Sequence, residues 1–134
     1  MKTAKRLIAM KLLDEFFFVK EIRDEENGFV ALLQVNPEHF IYKAHFPGNP
    51  ITPGVCIVQT AGELLQRKLN RNLFLKTVKN VKFLSTIVPS EGKQIKYSFS
   101  NISEEENGCK AQLSVSDETQ TFAKISVVYN YEPV

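Results

Sequence analysis

An α+β fold, in which a curved antiparallel sheet wraps around one central helix, is what this sequence predicts, and three features predict it. Several segments alternate apolar and polar residues with a period of two; the same tripeptide, Glu-Asn-Gly, occurs twice between such segments; and one stretch, Val55 to Leu69, carries apolar residues at helical spacing. Period two puts successive side chains on opposite faces of a half-buried strand, whereas a 3.6-residue period marks an amphipathic helix.

In chain order, Phe16 to Ile22 and Phe29 to Val35 read as the arms of a first hairpin that turns at Glu26-Asn27-Gly28. Asn-Gly suits such a turn because it favours the positive φ angles that tight hairpins require. After Pro53-Gly54, the run VCIVQTAGELLQRKL places Val55, Val58, Gly62, Leu65 and Leu69 at helical spacing. With Ile57, Ala61 and Leu64 the apolar positions cover roughly half the circumference, the width expected of a helix enclosed by a sheet. Further on, Ile95, Tyr97 and Phe99 alternate with Lys96, Ser98 and Ser100. Beyond a second turn at Glu106-Asn107-Gly108, Ala111, Leu113 and Val115 alternate with Gln112, Ser114 and Ser116, and Ala123, Ile125, Val127 and Tyr129 mark the last strand.

The 134 residues suit a single domain over residues 1–134. A hydrophobic fraction of 43% against 24% charged residues predicts a globular core and excludes a disordered chain. No apolar run approaches the roughly 18 residues that a membrane-spanning helix needs. The N-terminus, MKTAKRLIAMKLLDEF, begins like a signal peptide, but Lys11 interrupts its apolar run and no small-residue cleavage site follows, so a cytoplasmic location is expected. Without a secretory signal, Cys56 and Cys109 are expected to be reduced thiols. With His39 and His45 they match no metal-binding spacing, so no metal is expected.

Charge is unevenly spread. From Leu64 to Ser90 the chain carries Arg67, Lys68, Arg71, Lys76, Lys79 and Lys82 and no acid, leaving 11 basic against 15 acidic side chains elsewhere. Such a stretch is either a solvated face or a surface that attracts an acidic partner.

The densest chemical signal is His45-Phe46-Pro47-Gly48-Asn49-Pro50-Ile51-Thr52-Pro53-Gly54-Val55. Proline locks φ and glycine permits close backbone approach, so this loop holds His45 with little spare freedom just ahead of the helix. His39 has no such setting and reads as structural. HFPGNPITPGV resembles the signature HFPGxPxxPGV of the 3-hydroxyacyl-acyl carrier protein dehydratases, and Val81-Lys82-Phe83 with Ile87-Val88-Pro89 resembles a downstream strand of that family. The resemblance implies the hot-dog fold and a homodimer whose sites lie across the interface. It also implies acyl carrier protein as partner, with no cofactor, nucleic acid or membrane partner.

In that family the histidine works with a glutamate or aspartate fourteen residues later on the central helix, and here that position is Gln59. Eliminating water from a 3-hydroxyacyl thioester needs a base for the α-proton and an acid for the departing hydroxyl. His45 supplies one role, but an amide cannot shuttle a proton, and losing such a group costs about 10²–10⁴ in rate. Glu63, one turn or about 6 Å further along the same helix face, is a candidate substitute acid or else an ordinary solvated or salt-bridged residue. Gly54 and Val55 offer unpaired N–H groups for the thioester oxygen at the helix start, with Phe46 beside them as a substrate contact. The basic stretch would then steer the acidic carrier protein to the site.

Two other readings follow from the same residues. One is a hot-dog thioesterase, against which the HFPG loop counts. The other is an acyl-binding partner with little activity alone, completed as a heterodimer by a relative that carries the carboxylate.

Overall fold

The computed structural model describes residues 11–132. Residues 1–10, on which most of the signal-peptide comparison rests, lie outside it. Six strands form one sheet: β1 (Phe17–Glu25), β2 (Gly28–Val35), β3 (Leu73–Phe83), β4 (Gln94–Glu104), β5 (Gly108–Ser116) and β6 (Thr121–Tyr131). Two helices interrupt them between β2 and β3, the short α1 (Phe40–Ala44) and the long α2 (Gly54–Leu69). The strand order is β1-β2-β4-β5-β6-β3 and every neighbouring pair is antiparallel, which is the expected hot-dog arrangement. No helix among the described residues is long and apolar enough to cross a membrane.

The alternation read from the sequence holds at each of the three C-terminal strands. Ile95, Tyr97 and Phe99 of β4, Ala111, Leu113 and Val115 of β5, and Ala123, Ile125, Val127 and Tyr129 of β6 all face one core. Across it lie Cys56, Ile57, Ala61, Leu64 and Leu65 of α2. Of the apolar helix positions expected, Ile57, Ala61, Leu64 and Leu65 are buried as expected, whereas Val55 is exposed and Val58, Gly62 and Leu69 are only half-buried. The heptad-like spacing had picked the seam between the buried face and the edge strand β3. The Cys56 and Cys109 thiols are both buried and unbridged, and burial pushes Cys56 up to about 11.

Both hairpins turn where expected, but for a different reason. Neither Asn27 nor Asn107 has positive φ, and neither does Gly28 or Gly108. A Cβ on Gly28 would lie 1.9 Å from the Phe99 carbonyl oxygen of β4, and one on Gly108 would lie 1.9 Å from the Tyr129 oxygen of β6. Each glycine is thus fixed by close approach of the neighbouring strand rather than by the turn's own dihedral angles.

The two edges of the sheet differ. On β1, Arg23 pairs with Glu21 and Glu25, the kind of charge that discourages further strand pairing. On β3, in contrast, Phe74, Leu75, Val81 and Phe83 are exposed, with Leu84 and Val55 of α2 also exposed. An edge with open backbone groups and this much apolar surface is unprotected against a partner.

Candidate active site

The end of α1 and the loop that follows it, up to Ile51, are closed at their base by two buried side chains, the Tyr42 hydroxyl lying 2.9 Å from Thr52 Oγ1. The Thr52 N–H donates to the Ile87 carbonyl at 2.9 Å, and the His45 N–H to the Ile41 carbonyl at 2.9 Å. Ile41 and Tyr42 anchor α1 in the core, so a five-residue helix too short to persist alone becomes the support for His45. His39 caps that helix, its Nδ1 accepting from the Ile41 N–H at 3.2 Å, and its ring packs edge-on against Phe16. Burial lowers its affinity for a proton, against a smaller opposing effect of Glu15. It is a structural histidine, as expected from its setting.

His45 itself is half-exposed at the C-terminal end of α1. The following residue, Phe46, is exposed with a φ of 56°, a left-handed conformation that costs a non-glycine residue on the order of 1 kcal/mol. Gly48, with φ of 89°, lets the chain reverse towards Pro53, the N-cap of α2. The first N–H groups of that helix, at Gly54 and Val55, have no acceptor among the described residues. A Cβ on Gly54 would meet the ring of Phe83 at 2.8 Å, so glycine is required for the β3 ring to lie against the helix start.

Gln59 and Glu63 line a groove of about 620 Å³ between α2 and β3, whose other walls include Val55, Val58, Phe74 and Tyr129. Gln59 is half-buried, and its Nε2 donates to Glu63 Oε2 at 3.3 Å. Glu63 is buried and makes no ion pair among the described residues: at 7% exposure it accepts from the Leu12 N–H with both oxygens, at 3.0 and 2.9 Å, and from the Leu13 N–H at 3.0 Å. It ties the segment ahead of β1, whose Leu12, Leu13 and Phe16 are core residues, to the middle of α2. Sequence reading missed this because the partners are backbone N–H groups some fifty positions away, which no side-chain pattern announces. Glu63→Gln is therefore expected to cost about 2 kcal/mol of stability, since a buried charge-assisted acceptor is replaced by a group that must turn one N–H towards another donor. Urea unfolding checks this, and a change below about 0.5 kcal/mol would be the result of an ordinary surface position.

Among the described residues no hydrogen bond joins His45 to Gln59 or Glu63, whereas Gln59 and Glu63 are bonded to each other. The basic stretch also divides. Arg67 pairs with Asp14 at 2.5 Å and Lys68 with Asp24, while the Arg71 guanidinium lies 3.5 Å from the centre of the Tyr131 ring. Lys76, Lys79 and Lys82 are exposed along β3, the first two beside Glu105 and Glu106.

Three buried tyrosines surround α2 and two are hydrogen-bonded: Tyr42 to Thr52, and Tyr97 to the Ile57 carbonyl at 2.8 Å. The third, Tyr129, is 3% exposed and its hydroxyl has no partner among the described residues. Burial pushes its phenol well up, so it stays protonated.

In both sequence and fold the chain is similar to known proteins. The 3-hydroxyacyl-[acyl-carrier-protein] dehydratase FabZ of Brucella ovis is 46% identical over 65 residues, 42% of this chain, and the match spans only 40% of that relative's length. The FabZ of Latilactobacillus sakei is 26% identical over 106 residues, covering 74% of this chain and 76% of its own. Among solved structures, the dehydratase heterocomplex ApeI:P from Xenorhabdus doucetiae contains a chain that superposes with a TM-score of 0.69 at 17% identity, covering 90% of this chain and 99% of that one. At that identity the likeness is one of fold. The family described as ApeI dehydratase matches residues 21–126, most of the chain, including the loop, both helices and β3. The chain belongs to the ApeI-like dehydratase family.

Proposed function

We propose that this protein contributes one half of a dehydratase for 3-hydroxyacyl thioesters carried by acyl carrier protein. In the proposed site, His45 accepts the α-proton, the N–H groups of Gly54 and Val55 receive the charge that gathers on the thioester oxygen, and a carboxyl donates a proton to the departing hydroxyl. The products are a trans-2-enoyl thioester and water. With Gln59 at the position where the resemblance expects that carboxyl, and Glu63 committed to the backbone of Leu12 and Leu13, the acid comes from a second chain.

The observation that carries this reading is the incomplete site beside an unprotected edge. The exposed Phe74 and Leu75 of β3 border the groove that Gln59 lines. A homodimer closed over β3 supplies no carboxyl at position 59, whereas a heterodimer with a carboxylate-bearing relative combines that acid with His45. The solved chain of similar fold comes from a heterocomplex named as a dehydratase, which supports the same view. Arg71, Lys76, Lys79 and Lys82 are proposed as the docking surface for the acidic carrier, Arg67 and Lys68 being tied to Asp14 and Asp24.

The test is dehydration of a 3-hydroxyacyl carrier-protein substrate by the purified protein alone and after mixing with a carboxylate-bearing relative. Turnover alone is expected to be at least about 10²-fold below that of the mixture. Equal turnover by the protein alone would overturn the shared-acid reading. In the same preparations light scattering should show a dimer or a multiple of one, because β3 must be covered. A monomer at micromolar concentration contradicts that.

A further inference from the structure

The groove between α2 and β3 holds one polar atom whose state the proposed chemistry leaves unused, the hydroxyl of Tyr129. We propose that the Tyr129 hydroxyl and Gln59 Oε1 form a donor and acceptor pair that recognises the 3-hydroxyl of the acyl chain, making Tyr129 a specificity-determining residue of the site. This deepens the dehydratase reading and rests on it.

The argument is one of hydrogen-bond satisfaction. Glu63 is filled by Leu12, Leu13 and Gln59, and Gln66 Oε1 accepts from the Leu73 N–H at 2.9 Å. With its Nε2 turned to Glu63, Gln59 leaves Oε1 as an open acceptor in the groove. Half-buried amides such as Gln59 and Gln66 satisfy their spare capacity with water. The Tyr129 hydroxyl is the exception, because it is shielded from bulk water and unpaired, a state that native proteins seldom keep.

Its setting points the same way. Tyr129 lines the groove together with Gln59 and Gly62, and its hydroxyl lies 3.4 Å from where a Cβ on Gly62 would stand. Gly62 sits on the helix face between Gln59 and Gln66, so only helix backbone, and no side chain of residue 62, stands between the hydroxyl and the groove. An alcohol both donates and accepts, and a ligand hydroxyl pressed into the groove would accept from Tyr129 and donate to Gln59. A carbonyl or a methylene could not satisfy both.

The test separates this proposal from the reading beneath it. Pantetheine thioesters of 3-hydroxybutanoate and of butanoate are titrated calorimetrically into the full chain, wild type and Tyr129→Phe. Tyr129→Phe is expected to weaken the 3-hydroxybutanoyl thioester about fivefold and to leave the butanoyl thioester unchanged. Its melting temperature should equal or exceed that of the wild type, since an unpaired buried hydroxyl has been removed. Gly62→Ala, whose Cβ meets only contacts of 3.4 Å or more, should keep the fold and produce the same selective loss by placing a methyl between the hydroxyl and a ligand in the groove. Equal effects on both thioesters, or none on either, overturn the role of Tyr129 while leaving the thioester site intact. Failure of both thioesters to bind the wild type at millimolar concentration overturns the dehydratase reading and this proposal together.

Discussion

Gln59→Glu should raise dehydration by the protein alone at least about tenfold, because it restores a proton donor where none exists. The substitution is nearly isosteric and half-buried, so it opens no cavity and overfills nothing. The structure adds a second reason. The Gln59 amide now lies 3.3 Å from Glu63 Oε2, and a carboxyl in its place faces a carboxylate that is held by the N–H groups of Leu12 and Leu13. Two carboxyl groups that close do not both ionise readily, so the new one is biased towards its protonated form, the state a general acid needs. Steady-state turnover of a 3-hydroxyacyl carrier-protein substrate measures the gain. No gain, with Glu63→Gln silencing the wild type, would instead make Glu63 the working acid. No effect of either change, and no turnover of any carrier-protein substrate, replaces the enzyme reading with that of a binding partner.

His45→Ala should lower the turnover of the partnered protein by about 10²–10⁴ while leaving its unfolding curve within about 0.5 kcal/mol of the wild type. The two effects separate because the loop does not depend on the imidazole. The Tyr42–Thr52 pair, the Thr52 N–H to Ile87 bond and the backbone N–H of residue 45 all survive the change. The His45 side chain is half-exposed and makes no hydrogen bond among the described residues, so little packing is lost. Unchanged turnover would remove His45 from the mechanism. A large loss of stability would mean that the imidazole has structural partners in the second chain.

The strands of the C-terminal half were legible because each is buried on one face only, so alternation in Ile95 to Phe99, Ala111 to Val115 and Ala123 to Tyr129 survives as a printed pattern. β3 was read only at its end, from Val81-Lys82-Phe83. It is an edge strand exposed along nearly its whole length and bulged near Leu75 and Val78, so neither face imposes a period on its residues. α1 was missed because five residues with two anchors, Ile41 and Tyr42, are too few to show a helical repeat.

Local chemistry is what this sequence determines by itself: the alternation of three strands, the long helix, the positions of both hairpins and the rigid loop that presents His45. These depend on residues close together along the chain, where steric limits and periodicity act directly. The exposure of Val55 on α2, the reason for Gly28 and Gly108, the engagement of Glu63 by Leu12 and Leu13, and the unpaired hydroxyl of Tyr129 were decided by the folded chain. Each depends on which distant part of the chain comes to lie against it, at separations of about twenty to seventy residues for the two glycines, Glu63 and Tyr129, and no local pattern encodes that.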